Sequence, residues 1–330
     1  MDNEKLKEEV MVKWGIIGLG NIAARFAKSL SHSDEGRLYA IASKTKEKRD
    51  VFYEKYKCEK AYEDYDELLN DEELDAVYIA LPHGLHKYWS IKALRHKKAV
   101  LCEKPVGLNS REMEEIKEEA ILNNTFFMEA MKTRFIPLIQ DIKKIIKNGE
   151  IGKITTIEAS LCNHVTNIKE GSYLLDKNQG GALLDVGIYP LSFVMDMIDS
   201  EVESVTSSMK LNEAGVDSYF KAILIFKNGV IGNIEAAMDR NKERIAIIKG
   251  TKGYIEVPMY NRPDKAKVYL NESESYTIEK QLEFDDMYSE IKEVHNCLKE
   301  SRLQSDYLSL DESIRVMKVI DDIKEAAILK

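Results

Sequence analysis

The sequence is poor in cysteine and has no long apolar run. Its four cysteines lie far apart without a CxxC pair, which excludes a zinc finger or a disulfide framework and favours a reducing compartment. No stretch contains the run of about 18 apolar residues that a transmembrane helix needs. No apolar segment typical of a signal peptide follows the charged N-terminus. We therefore expect a cytoplasmic protein with no membrane partner and no metal site.

Positive charge is also scarce. The chain has 48 Lys and Arg against 57 Asp and Glu, a formal net charge of -9. Nucleic acids and anionic membranes are bound by surplus Lys and Arg, so neither is the main partner and any phosphate binding is local. With 44% hydrophobic residues in 330, the composition is that of a globular protein, and roughly 150 residues per domain predicts two domains.

The first part of the chain alternates between short apolar runs and amphipathic segments. Runs such as VKWGIIGLG, DAVYIAL and AVLCE predict buried parallel strands, and the segments between them predict helices. The fold class is therefore α/β, with an N-terminal Rossmann domain over residues 1–130 built on a doubly wound parallel sheet. Long strand patterns follow, and Asn228-Gly229 is typical of a tight hairpin. They predict an α+β domain over residues 131–330 with a large, open, mainly antiparallel sheet.

A glycine-rich turn, Gly18-Leu19-Gly20-Asn21-Ile22-Ala23, separates the first strand from the first helix. It fits GxGxxA, in which the glycines allow a tight turn and close approach of a pyrophosphate to the helix N-terminus. A tight turn without a ligand is the alternative. The predicted cofactor-binding residues here are Gly18, Gly20, Asn21, Ile22 and Ala23.

Ser43 and Lys44 end the second strand, where NAD-preferring domains carry an Asp or Glu for the ribose hydroxyls. A carboxylate would repel a 2′-phosphate, whereas Ser43 can donate a hydrogen bond to it and Lys44 can pair with it. We therefore predict NADP rather than NAD as cofactor. The alternative is that Lys44 is a solvated charge at the start of the next helix.

Two further segments carry candidate catalytic residues. Lys104 follows the run AVLC, at a strand end where open parallel sheets bind ligands, and burial there would lower its pKa and suit it to proton transfer. A charged surface turn is the alternative. Asp185 and Tyr189 lie four residues apart, so on one helix they share a face. The phenol can protonate a carbonyl oxygen as hydride arrives at its carbon, and Asp185 can orient the substrate or a partner group.

The segments GLGNIA, EKP and GGALLDVGIYP, in this order, resemble the Gfo/Idh/MocA family of oxidoreductases, named after glucose-fructose oxidoreductase and inositol dehydrogenase. Tyr189 and the segment FMEAMKTRF most resemble the branch with dimeric dihydrodiol dehydrogenase, NADP-dependent D-xylose dehydrogenase and glucose-fructose oxidoreductase. The resemblance implies a C-terminal sheet that forms a homodimer or homotetramer.

The resemblance also implies roles for individual residues. Lys104 would lie near the nicotinamide and the substrate, with a cis bond to Pro105, and Tyr189 would be the acid or base with Asp185 beside it. Further cofactor contacts would come from Pro82, His83, His86, Glu103 and Arg134. His83 stands where the family more often has Asn, and Lys132 stands where the branch has an aromatic residue. His164 is either a pocket residue or an ordinary loop histidine.

The predicted function is hydride transfer between NADP and a hydroxyl or carbonyl carbon of a sugar, polyol or cyclic diol. Two other functions are possible on this scaffold: a non-catalytic dinucleotide-sensing regulator, and a hydrolase that uses tightly held NAD for transient oxidation. The presence of both Lys104 and Tyr189 disfavours the regulator, which needs no acid-base pair.

Overall fold

The computed structural model describes residues 11–272 and 274–329. The charged segment 1–10, on which the expectation of no signal peptide depends, lies outside the described residues. Within the described ranges, no helix combines the length and apolar character needed to cross a membrane. All four cysteines are buried and unpaired.

The N-terminal sheet has six parallel strands in the order β3-β2-β1-β4-β5-β6. The apolar runs of the sequence form its central strands, which are buried because helices cover the sheet. The strands are β1 (Val12–Ile17), β2 (Gly36–Ala42), β3 (Lys60–Tyr62), β4 (Ala76–Ile79), β5 (Ala99–Glu103) and β6 (Phe127–Ala130). The connecting helices are α1 (Asn21–Leu30), α2 (Lys46–Tyr56), α3 (Tyr65–Leu69), α4 (His86–Arg95) and α5 (Ser110–Asn123). The predicted doubly wound parallel sheet is confirmed.

The second sheet has nine strands in the order β14-β13-β12-β11-β7-β10-β9-β8-β15. It is mainly antiparallel, and its parallel pairs are β7 with β10 and β8 with β15. The strands are β7 (Ile154–Cys162), β8 (Val202–Leu211), β9 (Asp217–Phe226), β10 (Ile231–Ala237), β11 (Ile245–Gly250), β12 (Gly253–Pro258), β13 (Lys265–Leu270), β14 (Tyr276–Glu279) and β15 (Ala327–Leu329). The hairpin predicted at Asn228-Gly229 joins β9 to β10, with Gly229 at φ 82°.

Helices cover one face of this second sheet and leave the other open. In β9, Phe220, Ala222 and Leu224 are buried, whereas Lys221 and Ile223 between them are exposed, as expected where alternate side chains point to opposite faces. The helices of this half are α6 (Pro137–Lys147), α7 (Ile188–Met197), α8 (Tyr288–Lys299) and α9 (Leu310–Glu325). Helix α9 also packs against α5, and α8 against α1, so the two halves share an extensive contact.

Candidate active site

The glycine turn after β1 is shaped for a close-fitting ligand. Gly18 has φ 90°, and a Cβ there would lie 2.5 Å from the Ala80 carbonyl oxygen, so no other residue fits. By contrast, a Cβ on Gly20 would meet no atom within 4 Å. Helix α1 begins directly after Gly20 with no side-chain cap and no acidic residue in its first turn. Its free N–H groups and positive dipole end suit a pyrophosphate, so these residues fit a dinucleotide.

The end of β2 presents hydroxyl and cationic groups. Ser43 is buried, and its hydroxyl accepts a hydrogen bond from the Thr45 N–H at 3.3 Å, whereas Lys44 is exposed. The Arg49 guanidinium, from the first turns of α2, donates to the Ser43 carbonyl and lies 3.6 Å from the Glu63 carboxylate. Arg49 was not among the residues expected from the sequence to bind the cofactor. A cation six residues after the strand-end serine was the available signal.

Two buried histidines in the segment after β4 contact backbone carbonyl groups elsewhere in the site. The His86 ring nitrogens lie 2.7 and 2.6 Å from the carbonyl oxygens of Leu81 and Pro105, so this ring braces the turn that holds Lys104. The His83 Nδ1 lies 2.9 Å from the Gln179 carbonyl oxygen. Burial and the nearby charge of Lys104 hold the pKa of His83 well below its usual range. The His83 ring is therefore neutral and links the segment after β4 to Gln179.

Lys104 lies at the end of β5 with its side chain only 11% exposed, and the expected cis Lys104–Pro105 bond is present. Its ammonium group donates to the Asp185 carbonyl oxygen at 2.7 Å and lies 3.5 Å from the Asp185 carboxylate. The same nitrogen lies 5.1 Å from the centre of the Tyr189 ring. The structure thus brings together the three side chains that the sequence analysis selected as catalytic.

The charge state of Lys104 differs from expectation. Burial lowers its pKa, but Tyr189 and Asp185, when ionised, attract the ammonium charge more strongly, and the pKa of Lys104 is raised above that of an ordinary lysine. The predicted lowering of the pKa is therefore wrong, because the sequence could not show two acidic groups meeting this amine. With a raised pKa, Lys104 is a charged hydrogen-bond donor in this site.

A second lysine, Lys132, flanks the same phenol. Its ammonium nitrogen lies 5.8 Å from the centre of the Tyr189 ring and 2.7 Å from the Asp286 carboxylate, and its side chain is buried. Asp286 is also paired with Arg262 at 2.9 Å and with Arg25 of α1. Although burial raises the pKa of this carboxyl, Lys132 and the two arginines lower it below its usual range. Lys132, whose role the sequence left open, therefore forms with Asp286 a charged wall beside Tyr189.

Three other selected residues lie at the edges of this arrangement or away from it. The Arg134 guanidinium, expected near the cofactor, is buried and bonded to Asp196 at 2.7 Å and to the Ser192 hydroxyl at 3.0 Å, so its donors are engaged with α7. The Glu103 carboxylate accepts from the buried Tyr78 hydroxyl. His164 is exposed on a loop beside a cavity of about 170 Å³.

Comparison with known proteins defines the class first. Residues 12–130 match an oxidoreductase family with an NAD-binding Rossmann fold. Residues 139–256 match the GFO/IDH/MocA C-terminal domain. Together the matches cover more than half of the chain, which therefore belongs to the GFO/IDH/MocA family of oxidoreductases. The predicted family and the predicted dehydrogenase class of enzyme are confirmed.

Individual relatives resemble the chain over nearly its whole length. A trans-1,2-dihydrobenzene-1,2-diol dehydrogenase of Mus musculus is 30% identical over 324 residues, 96% of both chains. Its Bos taurus counterpart is 28% identical over 96% of both chains. The solved 3-ketoreductase KijD10 of Actinomadura kijaniata, in complex with NADP and TDP-benzene, superposes with a TM-score of 0.88 at 22% identity over 97% of this chain and 98% of that one. An aldose-aldose oxidoreductase of Caulobacter crescentus has a TM-score of 0.88 at 21% identity over 96% and 97%.

Proposed function

We propose that this chain is an NADP-dependent oxidoreductase that interconverts a hydroxyl and a carbonyl group on a sugar, polyol or cyclic diol. The observation that carries the proposal is the meeting of Lys104, Asp185 and Tyr189 at the carboxyl end of β5, with the Lys104 ammonium 5.1 Å from the phenol ring. Open parallel sheets bind their ligands at this edge, which is also where the Gly18–Gly20 turn lies.

The proposed chemistry divides between the cofactor and the side chains. A bound nicotinamide supplies or accepts the hydride. The Tyr189 hydroxyl donates a proton to the carbonyl oxygen during reduction and receives it back during oxidation. Lys104, held protonated, stabilises the negative charge that develops on that oxygen; a positioned donor of this kind contributes about 3 kcal/mol. Asp185 orients the Lys104 ammonium, whose contacts with it measure 2.7 and 3.5 Å.

The preference for NADP is supported by the groups at the end of β2. At this strand end, where the 2′-phosphate of NADP would bind, the chain offers a hydroxyl and two cations from Ser43, Lys44 and Arg49. Burial of the Arg49 side chain to 12% exposure, with its guanidinium already bonded to the Ser43 carbonyl, fixes one of these cations in place. Guanidinium groups are well suited to phosphate oxygens.

The charged wall of Lys132 and Asp286 beside Tyr189 favours a substrate rich in hydroxyl groups. Several hydroxyls can exchange hydrogen bonds with an ammonium and a carboxylate, whereas an apolar ring would desolvate both groups without compensation. Related proteins are named for diols and for sugars. Between these, we propose a sugar or polyol.

The direct test is a panel of aldoses, inositols and cyclic diols, each assayed with NADP and NAD and with their reduced forms. The expected result is net cofactor oxidation or reduction at 340 nm with at least one sugar or polyol and a higher kcat/KM with the phosphorylated cofactor. A hydrolase that recycles its cofactor would release product without a net change, and a regulator would bind without turnover. A higher kcat/KM with NADH would contradict the cofactor assignment.

We also propose a homodimer or homotetramer formed through the open face of the second sheet. Ile223, Ile225, Ile231 and Ile328 are between 39% and 67% exposed on this sheet. A shallow groove of about 680 Å³ crosses the same face. Apolar side chains gathered on an uncovered sheet are typical of protein contact surfaces. A cytoplasmic location remains a prediction, supported by the four unpaired cysteines.

A further inference from the structure

Two lysines approach the phenol ring of Tyr189 from the same edge of the N-terminal sheet. Strands β5 and β6 are parallel neighbours, and Glu103 at the end of β5 pairs with Ala130 at the end of β6. Lys104 follows β5 directly, and Lys132 lies in the short 3₁₀ turn after β6. Their ammonium nitrogens lie 5.1 and 5.8 Å from the centre of the Tyr189 ring. Lys132 therefore belongs to the carboxyl edge of the sheet, where open parallel sheets bind their ligands.

The two lysines are held by different acceptors. Lys104 donates to the Asp185 carbonyl oxygen, whereas Lys132 pairs with the Asp286 carboxylate at 2.7 Å. Among the described residues, the Lys132 nitrogen makes no other ion pair and no hydrogen bond to another protein group. An ammonium group has three donors, so the pair with Asp286 leaves donors of this lysine available to a bound molecule.

The Asp286 carboxylate is held in place by groups other than Lys132. It is buried just before α8, and it pairs with Arg262 at 2.9 Å and with Arg25 of α1. The preceding residue, Asp285, accepts from the hydroxyl of Ser29 on α1 at 2.6 Å and from two backbone N–H groups at the start of α8. Because these contacts fix the carboxylate, it determines where the lysine ammonium rests.

A second acidic residue on α8, Glu290, does not compete for this role. Its side chain is fully buried, and neither carboxyl oxygen has a hydrogen-bond partner among the described residues. Burial and the nearby charge of Glu103 hold the pKa of Glu290 well above its usual range. The pKa of Asp286 is lowered despite burial, so Asp286 is ionised where Glu290 is still protonated. Asp286 is therefore the counter-ion of Lys132.

We propose that Lys132 is a specificity-determining residue that donates a hydrogen bond to a second substrate oxygen, and that Asp286 positions it for this contact. The second oxygen is one that does not exchange a proton with Tyr189, so the inference rests on the proposed function. A buried ammonium gains from a hydroxyl oxygen and gains nothing from a C–H bond in the same place. The substrate is therefore a polyhydroxy compound with one oxygen at the phenol and another at this amine.

The test removes one substrate hydroxyl and the amine, separately and together. The probe is the aldose or inositol of the panel with the highest kcat/KM, compared with those of its monodeoxy analogues that keep the reacting hydroxyl. With the wild type, kcat/KM should fall about ten- to a hundred-fold for one analogue, because one hydrogen bond to a charged group is missing. Lys132→Met should show a similar loss with the parent compound. It should distinguish that analogue from the parent by less than about two-fold, because the two changes remove the same contact.

Asp286→Asn tests the positioning. It should reproduce the loss with the parent compound, and its combination with Lys132→Met should add less than about two-fold, since both changes act on one contact. A crystal structure of Asp286→Asn should show the Lys132 nitrogen displaced from its place 5.8 Å from the Tyr189 ring centre. The dissociation constant of NADPH should stay within about two-fold in Lys132→Met, which separates a substrate contact from a general loosening of the site. If Asp286→Asn does not fold, the comparison of analogues with Lys132→Met still decides the role of the amine.

Lys98→Met is the matched control, because Lys98 is also a buried lysine but lies before β5, at the opposite edge of the sheet. Its ammonium donates to the carbonyl oxygens of Asp71 and Leu74, and its replacement should leave the discrimination between parent and analogue unchanged. If Lys132→Met discriminates among all the analogues as the wild type does, the inference is overturned. An unmoved Lys132 in Asp286→Asn would overturn the positioning role.

A binding measurement separates failure of this inference from failure of the proposed function. If no sugar or polyol turns over, calorimetry with myo-inositol and D-glucose on the NADP complex replaces the kinetics. Weaker binding in Lys132→Met than in the wild type would support the contact although the proposed chemistry had failed. Absence of binding to the wild type, or equal binding to both proteins, would overturn the contact.

Discussion

Tyr189 is the residue on which the proposed proton transfer depends. Tyr189→Phe removes the hydroxyl but keeps the ring that lies 5.1 Å from the Lys104 ammonium and 5.8 Å from that of Lys132. We expect kcat to fall about 10²- to 10³-fold, because general acid catalysis is lost, while the dissociation constant of NADPH stays within about two-fold. Steady-state kinetics and a titration of NADPH fluorescence measure the two quantities separately.

A matched control comes from a tyrosine elsewhere on the surface. Tyr254 is 37% exposed on β12 and stacks on Tyr269, with ring centres 4.3 Å apart. Tyr254→Phe removes a hydroxyl from this stacked pair and should leave kcat unchanged. A Tyr189→Phe enzyme with full kcat would contradict the assignment of the phenol as acid.

His295 shows how one helix is tied to the N-terminal sheet. It lies on α8, and its Nε2 accepts a hydrogen bond from the Trp14 indole N–H of β1 at 2.9 Å. Its Nδ1 lies 3.3 Å from the Ser33 hydroxyl and 3.9 Å from the Glu35 carboxylate. Burial lowers the pKa of His295 to about 4. Only a neutral ring can make the hydrogen bond that joins α8 to β1, since a protonated Nε2 could not accept from the indole.

The pH dependence of stability follows from that lowered pKa. The unfolded chain binds the proton near pH 6.5 and the folded chain only near pH 4, so stability is full above about pH 6.5 and is lost as the pH falls toward 4. The loss amounts to about 3 kcal/mol by pH 4, because each tenfold difference in proton affinity between the two states is worth about 1.4 kcal/mol. His295→Gln keeps an acceptor for Trp14 but does not titrate, so the free energy of unfolding should depend less on pH between 6.5 and 4. Urea unfolding at several pH values measures this.

An exposed histidine provides the comparison for that experiment. His164→Gln changes a side chain on a surface loop and should retain the wild-type pH dependence. Equal pH dependence in His295→Gln and the wild type would show that the bond to Trp14 does not control acid stability.

Local motifs could be predicted from the sequence, whereas pairs of charged residues on different helices and strands could not. Gly18 and Gly20 were identifiable because a tight turn constrains residues next to each other, and Asp185 and Tyr189 because four-residue spacing fixes a helix face. Lys132 and Asp286 meet across more than 150 positions, and apolar periodicity says nothing about which charges pair at that separation. The partners of Arg134 were hidden for the same reason, because they lie on α7 and α9. The π-helical turn over Leu183–Gly187 also escaped, because the apolar pattern of a sequence does not distinguish a single π-turn from an α-helical turn.

In the part of the chain that the structure describes, the second sheet has a face that the helices do not cover. The exposed isoleucines of the second sheet surround a groove that also contains charged side chains such as Glu158, Lys221 and Glu235. A surface that mixes apolar and paired charged groups matches a second copy of itself in a two-fold arrangement, in which each patch meets the same patch of the partner. We therefore expect the assembly to depend on the residues of β9 and not on those of the N-terminal sheet.

Ile223→Lys tests this expectation. Ile223 is 47% exposed on β9, and a buried, unpaired lysine in its place would cost several kcal/mol in the contact. At low micromolar concentration the wild type should sediment as a dimer or tetramer and the variant as a monomer. Ile121→Lys is the matched control, because Ile121 is 57% exposed on α5, far along the chain from this sheet, and its substitution should leave the mass unchanged. A monomeric wild type, or an oligomer that survives Ile223→Lys, would rule out β9 as the centre of the contact.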